Sequence, residues 1–332
     1  MKTFDGEKWT GELSKSEILP DNSISKAPVV LEETTLITDP DGRMVDGARF
    51  FTVIEVKNLP GTWLDNWYGY VAGHDSPGIH LVTAPNFYGP WTIRDEVISV
   101  PSSNGIMKDS THQVHVSSPD VYYNNGKIHL LYHGPLATNL LEQPTSLATS
   151  PDGRIFTRVG NVLPTDYSNF ASPYRTSTSY TRTYLDGGTR HAIWQGTTGK
   201  DSEADGYSYV PFPMGHATSV DGVNYQILRP ILTSGHKNQG LMAPGITKIG
   251  DQWVVVGVFR EFNGTSGQIE TTRMYVGKSL DDLQSIGKIT LGGSQVLTSP
   301  TIFVRDGVMY LFGGNRPTNG TASIVLFKLG WK

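Results

Sequence analysis

The chain has 332 residues, 37% hydrophobic and 17% charged, with a net charge of −4 and no cysteine. Such a length builds a sizeable core, in about two average domains or one long all-β domain, and the lack of cysteine excludes disulfides, thiol nucleophiles and thiolate metal sites. Slight acidity without a basic stretch excludes a nucleic-acid footprint, and no apolar run reaches membrane-spanning length.

Residues 1–30 are polar and read as an N-terminal arm, with FDGEKWTG as one small hairpin. The opening MKTFDGEKWTGELS lacks the pattern of a signal peptide. This leaves the compartment open: secreted or periplasmic if a signal has been removed, cytoplasmic or virion-associated otherwise. From residue 31 to 332 the chain reads as strand and turn, with no sustained helical period. Its 37 glycines suit many turns.

The informative hairpin is HVSSPDVYYNNGKIHLLYHGP, 115–135. Val121-Tyr122-Tyr123 has strand content, Asn124-Asn125-Gly126 is a tight-turn signal, and 127–133 alternates as a return strand. The expectation is that Asp120 and His133 share one end of it. A small residue followed by proline recurs at Ser118-Pro119, Ser172-Pro173, Ala243-Pro244 and Ser299-Pro300, each ahead of a β-rich hairpin. The second strands read KIHLLYHG, RHAIWQG, QWVVVGVFR and VMYLFGG. Serine-acid turns at 150–153, 219–222 and 279–282 place Asp152, Asp221 and Asp281 in structural roles. A fifth unit without the proline starts near residue 45 and runs through WYGYVAGHD, IHLVTAP and GPWTI. Five units of about four antiparallel strands predict an all-β, five-bladed β-propeller, closed by SIVLFKLGW or by the strand at 29–38.

A propeller gathers one end of each inner strand around its axis, where a pocket forms. Alignment of the units sets Asp46 opposite Ser118 and Ala48 opposite Asp120. The same face collects His74, Asp75, His133, Gln195, Arg260, Glu261, Asn315 and Arg316. Each has a bland alternative. Asp120 is also a turn-capping aspartate after proline, and Asp46 sits in a turn-rich stretch. His74 and His133 end apolar runs, where histidines are commonly structural, and Glu261 has Arg260 beside it.

SSPDVYYNNGKIHLLYHG resembles the second-blade signature of glycoside hydrolase family 43. WYGYVAGHDSPGIHLVTAPNFYGPWTI and SLATSPDGRIFTRVG are similar to runs in relatives of that family. The resemblance, to propeller glycosidases of families 43, 32, 68 and 117, spans roughly residues 45–330. It implies an inverting glycoside hydrolase acting on an oligo- or polysaccharide, with two carboxyl groups separated by room for a water. It also implies Asp120 as the carboxylate that tunes the acid and Asp46 as general base. Arg175 corresponds to an arginine of the relatives. The family's third-blade glutamate is replaced by Phe170-Ala171-Ser172 before Pro173. The acid role therefore passes to Glu261 or His115. His74, Asp75, His115, His133, Arg175, Gln195, Arg260 and Arg316 are the expected substrate contacts, and Glu203 and Asp205 lie on an insert that reads first as a solvated loop and second as a lid over them. No metal-ligand spacing is present, and no cofactor is expected, although the resemblance allows an axial calcium or other ion. The expected partner is carbohydrate, not nucleic acid or membrane. Two further readings stand: a carbohydrate-binding propeller without turnover, such as a phage-borne receptor binder, and a polysaccharide lyase that uses Tyr or His as base on uronic acids, with Arg175, Arg260 and Arg316 lining its pocket.

Overall fold

The computed structural model describes residues 3–4, 9–10, 24–39, 44, 47–73, 78–94, 115–136, 143–163, 177–196, 214–232, 239–262, 268–291, 297–315 and 322–331. Among them there is no helix. Strands β1 (Thr3–Phe4) and β2 (Trp9–Thr10) pair antiparallel as the expected small hairpin. Strand β3 (Val29–Ile37) follows.

Five four-stranded antiparallel sheets make the propeller. Blade 1 holds β4 (Phe50–Glu55), β5 (Trp67–Ala72), β6 (His80–Ala84) and β7 (Thr92–Ile93). Blade 2 holds β8 (Ser117–Asn124), β9 (Lys127–His133), β10 (Thr145–Ser150) and β11 (Thr157–Leu163). Blade 3 holds β12 (Ser179–Asp186), β13 (Thr189–Gln195), β14 (Met214–Ser219) and β15 (Gln226–Ile227). Blade 4 holds β16 (Gln239–Ile249), β17 (Gln252–Phe262), β18 (Gln268–Gly277) and β19 (Gln284–Lys288). Blade 5 holds β20 (Leu297–Arg305), β21 (Val308–Asn315) and β22 (Ser323–Gly330), and takes β3 as its outer strand. Both candidate closing strands thus serve, paired with each other from Ile324–Ile37 to Gly330–Val29. The inner strands touch in a ring, β4 to β8, β12, β16, β20 and back to β4.

A blade has neighbours on both faces, so its middle strands are apolar throughout instead of alternating. All six residues of WYGYVA in β5 are buried. The core accordingly lies between blades. Phe51, Trp67, Phe87, Tyr310 and Phe312 join blades 5 and 1, and Tyr68, Tyr70, Leu130 and Tyr132 join blades 1 and 2. Each such side chain contributes roughly 1.5–3 kcal/mol of burial. Gly69 is required there because a Cβ would lie 2.4 Å from the Phe51 ring. The junction of blades 2 and 3 has smaller apolar clusters and is the more polar one. There Arg190 lies 3.6 Å over the Tyr122 ring, and the Tyr122 hydroxyl donates to the Gly222 carbonyl at 2.5 Å.

The serine-acid turns join third to fourth strands. Asp152 Oδ1 accepts from the Arg154 and Ile155 amides, and Asp221 Oδ1 from those of Val223 and Asn224. In blade 4 the accepting residue is Asp282, which takes the Ser279 amide at 2.7 Å. Asp281 instead pairs outward with Arg229 at 2.8 Å.

Candidate active site

The inner strands begin at what is here termed the upper end of the propeller. Four of them carry a β-bulge close to that start, at which the register shifts by one residue: 117/120, 179/182, 242/245 and 298/301. Each bulge contains a non-glycine residue at positive φ: Ser118 (52°), Tyr180 (57°), Ala243 (45°) and Ser299 (50°). The third-blade counterpart of Ser118-Pro119 is therefore Tyr180-Thr181. Ser172-Pro173, which the repeat pattern put there, lies outside the described residues. Bulges re-aim the side chains that follow. Here they turn Asp120, Arg182, Gly245 and Thr301 onto the axis, level with Thr52 of blade 1. The sequence alignment that set Ala48 opposite Asp120 is four residues out of register, since Thr52–Tyr70 is the pair matching Asp120–Leu131.

Asp120 is correspondingly not at the hairpin mouth. His133 pairs with Ser117, while Asp120 lies further along β8 opposite Leu131. Its Oδ2 accepts from the Thr183 amide at 3.0 Å and the Thr183 hydroxyl at 2.8 Å. Its Oδ1 lies 4.0 Å from Arg182 Nη1. Burial raises the Asp120 pKa, and the Arg182 charge and the Thr183 bonds oppose that rise. The Arg182 side chain is only 2% exposed. Its Nη1 donates to the Pro119 carbonyl of blade 2 and its Nη2 to Ser299 Oγ of blade 5 at 2.9 Å. A group from blade 3 that touches blades 2 and 5 must lie on the axis. The cavity at this level measures about 110 Å³, well below the roughly 300–1,000 Å³ of small-molecule pockets. Its walls are these residues and the next ones along each strand, Val53, Val121, Thr183, Ile246 and Ile302. The cavity thus lies on the lower side of the guanidinium, and Arg182 floors the space above. Sequence reasoning missed Arg182 and Thr183. Aligning the second strands, with Arg182 opposite Ile193 as Asp120 is opposite Leu131, is the signal that finds them.

Above this floor stands an aromatic group. Tyr180 packs on His133 (4.9 Å between centroids) and Phe50 (5.6 Å), and His115 meets His133 edge-on at 5.8 Å. Phe50 and Tyr180 belong to blades 1 and 3, so their rings meet over the inner edge of blade 2. His133 Nδ1 accepts the Tyr180 amide at 3.4 Å, and Gln195 Oε1 accepts the Ala243 amide at 3.0 Å. These two expected substrate contacts share a structural duty: each ends a second strand and holds the bulge of the next blade. Arg260 bonds its cross-strand partner Glu270, through Nε at 2.8 Å and Nη2 at 2.5 Å. Glu261 pairs by its backbone with Gln239 and Ile269 near the upper end of β17, and its side chain lies outside the described residues. So do Asp46, His74, Asp75, Arg175, Glu203, Asp205 and Arg316. The residues flanking Asp46 are fixed at this end, Gly47 donating to the Met44 carbonyl and Ala48 to that of Ala322. Asn315 closes β21 opposite Ser323. Among the described residues no three histidines or acids cluster as metal ligands. At the level of Asp120 a metal does not fit, since the guanidinium of Arg182 already lies on the axis.

No protein-family model matches the chain, and no curated protein does. Solved structures do. A thermostable family-43 glycoside hydrolase superposes with a TM-score of 0.57 at 12% identity, covering 86% of this chain and 90% of that one. The endo-arabinase from Bacteroides thetaiotaomicron VPI-5482 gives 0.59 at 14%, covering 90% and 98%. A family 117 glycoside hydrolase produced by the marine bacterium Zobellia galactanivorans gives 0.57 at 16%, covering 90% and 89%. The chain has the five-bladed propeller fold of these glycoside hydrolases. At such identities the likeness concerns the propeller itself, and residue roles rest on the geometry above.

Proposed function

We propose that this propeller is a glycoside hydrolase that binds a poly- or oligosaccharide at its upper end and cleaves it by inversion. The observation that carries the reading is the closed axis. Arg182 and its partners close the channel beneath the upper end, so that a sugar enters and leaves by that end alone. Phe50 and His133 are buried there, and Tyr180 is the part-exposed member of the aromatic group, whose face suits the apolar side of a sugar ring. In this reading Asp46 is the general base, with its flanks anchored at the junction of blades 5 and 1, and Glu261 of blade 4 is the acid. Separate blades supply the gap that an attacking water needs. Asp120 acts from the level of the floor itself, through Arg182. Arg175 and Arg316 belong to loops of the same end and suit an acidic or hydroxyl-rich sugar.

The test is a screen of the wild type against arabinan, other plant polysaccharides, and algal and bacterial polysaccharides, reading reducing ends and ultraviolet absorbance together. Reducing ends without absorbance are expected. An unsaturated, absorbing product would make the protein a lyase. One observation favours a second reading, binding without turnover. Asp120 is the sole carboxylate among the described residues lining the axial cavity, and its oxygens are engaged by Thr183 and Arg182. Glycan binding with no product from any polysaccharide would establish that reading.

A further inference from the structure

We infer that Arg182 is the protein's own axial cation, a fixed guanidinium that takes the position a bound metal ion would need at this level of the propeller and makes the axis independent of metal. Three observations carry this. First, the guanidinium touches three of the five blades. It springs from β12, donates to the Pro119 carbonyl of blade 2 and to Ser299 Oγ of blade 5, and faces Asp120 Oδ1 at 4.0 Å. A carbonyl, a hydroxyl and a carboxylate around one point are the oxygen ligands a hard cation collects. Here a forked donor, which stays charged at any working pH, collects them instead.

Second, the bulges exist at this level in both partner strands. Pro119 and Ser299 sit within the shifted segments 117/120 and 298/301. Pro119, next to Ser118 at positive φ, and Ser299, itself at positive φ, thereby present one acceptor each to one side chain. Third, the charge count leaves no room for a second cation. Arg190 donates to Thr183 Oγ1 at 3.3 Å, which in turn donates to Asp120 Oδ2. Arg182 thus faces the carboxylate directly and Arg190 reaches it through Thr183. The sequence signal is the asymmetry of the level itself: Thr52, Asp120, Arg182, Gly245 and Thr301 supply one acid and one base among five blades.

The inference concerns stability and does not depend on whether sugar is cleaved. It is tested by the melting temperature of the wild type, Asp120→Asn, Arg182→Ala and the double variant, each in calcium and in a chelator. Any calcium response common to wild type and Asp120→Asn is subtracted as a site off the axis. After that subtraction, the wild type melts at the same temperature in both conditions. Arg182→Ala melts several degrees lower and regains part of the loss in calcium, and the double variant does not respond. The inference is overturned by a wild-type loss in chelator that Asp120→Asn removes, by an Arg182→Ala protein as stable as wild type in chelator, or by one that ignores calcium. If Arg182→Ala does not fold, Arg182→Lys keeps the charge with a shorter reach. It is expected to melt lower without a calcium response, and a response there would equally overturn the inference.

Discussion

Individual side chains at the upper end do two jobs, and the structural one is measurable without a substrate. Gln195 Oε1 is the acceptor for the buried Ala243 amide of the next blade. In Gln195→Ala that amide loses its acceptor, which costs about 1–3 kcal/mol. Urea unfolding should show the loss, while Gln195→Glu, which retains an acceptor oxygen, should recover much of it. A second residue-scale prediction concerns acid. Burial, with His191 beside it, lowers the His216 pKa to about 4, and burial near Arg190 lowers that of His129 to about 4. His216 Nε2 lies 3.1 Å from His191 Nδ1, with Asp281 and the Asp186–Lys248 pair as the other charges nearby. A lowered histidine pKa means that the unfolded chain binds the proton first. The stability these neutral histidines give is complete above pH 6.5 and is lost as the pH falls from 6.5 towards 4. The loss is on the order of a few kcal/mol for the two together. His216→Gln should flatten that fall in urea midpoints measured between pH 7 and pH 4.5, and an unchanged slope would contradict the assignment.

At the scale of elements, the ring depends on one long-range pairing. β3 adds the outer strand to blade 5 along β22, and the Ile24 amide just before it donates to Gln252 Oε1 of blade 4 at 2.7 Å. A chain that starts after Ile37 leaves β22 as an exposed, apolar edge, which invites association. It should lose the cooperative unfolding transition and elute as aggregate in size-exclusion chromatography; a monomeric, cooperatively folding truncation would contradict this closure. The elements themselves were legible in the sequence. Apolar runs such as QWVVVGVFR and VMYLFGG declare strands buried on both faces, and Asn-Gly and Ser-Pro-Asp-Gly turns separate them. Register was not legible. A bulge adds one residue without changing the apolar pattern and so has no local signature, and the four-residue offset from Ala48 to Thr52 and the eight-residue shift from Ser172 to Tyr180 arise where small-residue and turn motifs, not strand pairing, set the alignment. Proline marked three of the four bulges, and Tyr180 reaches the same backbone geometry without it.

At the scale of the molecule, five inner strands converge on an axis that a buried ion pair closes from below, with the aromatic group of Phe50, Tyr180 and His133 above it. The sequence disclosed which residues gather at the upper end, because His133, Gln195 and Glu261 all lie at or next to the ends of second strands there. It concealed the closure, because Arg182 reads as an ordinary strand residue until the blades are superposed. The proposed function places catalysis above Arg182, with Asp46 as the base. The most direct test is the rate of reducing-end release by the wild type and Asp46→Asn on the best-bound glycan of the screen. Steady release by the wild type and a fall of at least about 100-fold in the variant are expected, as for loss of a general base, with binding retained. A variant as active as the wild type, or a wild type that binds the glycan and releases nothing, would contradict it.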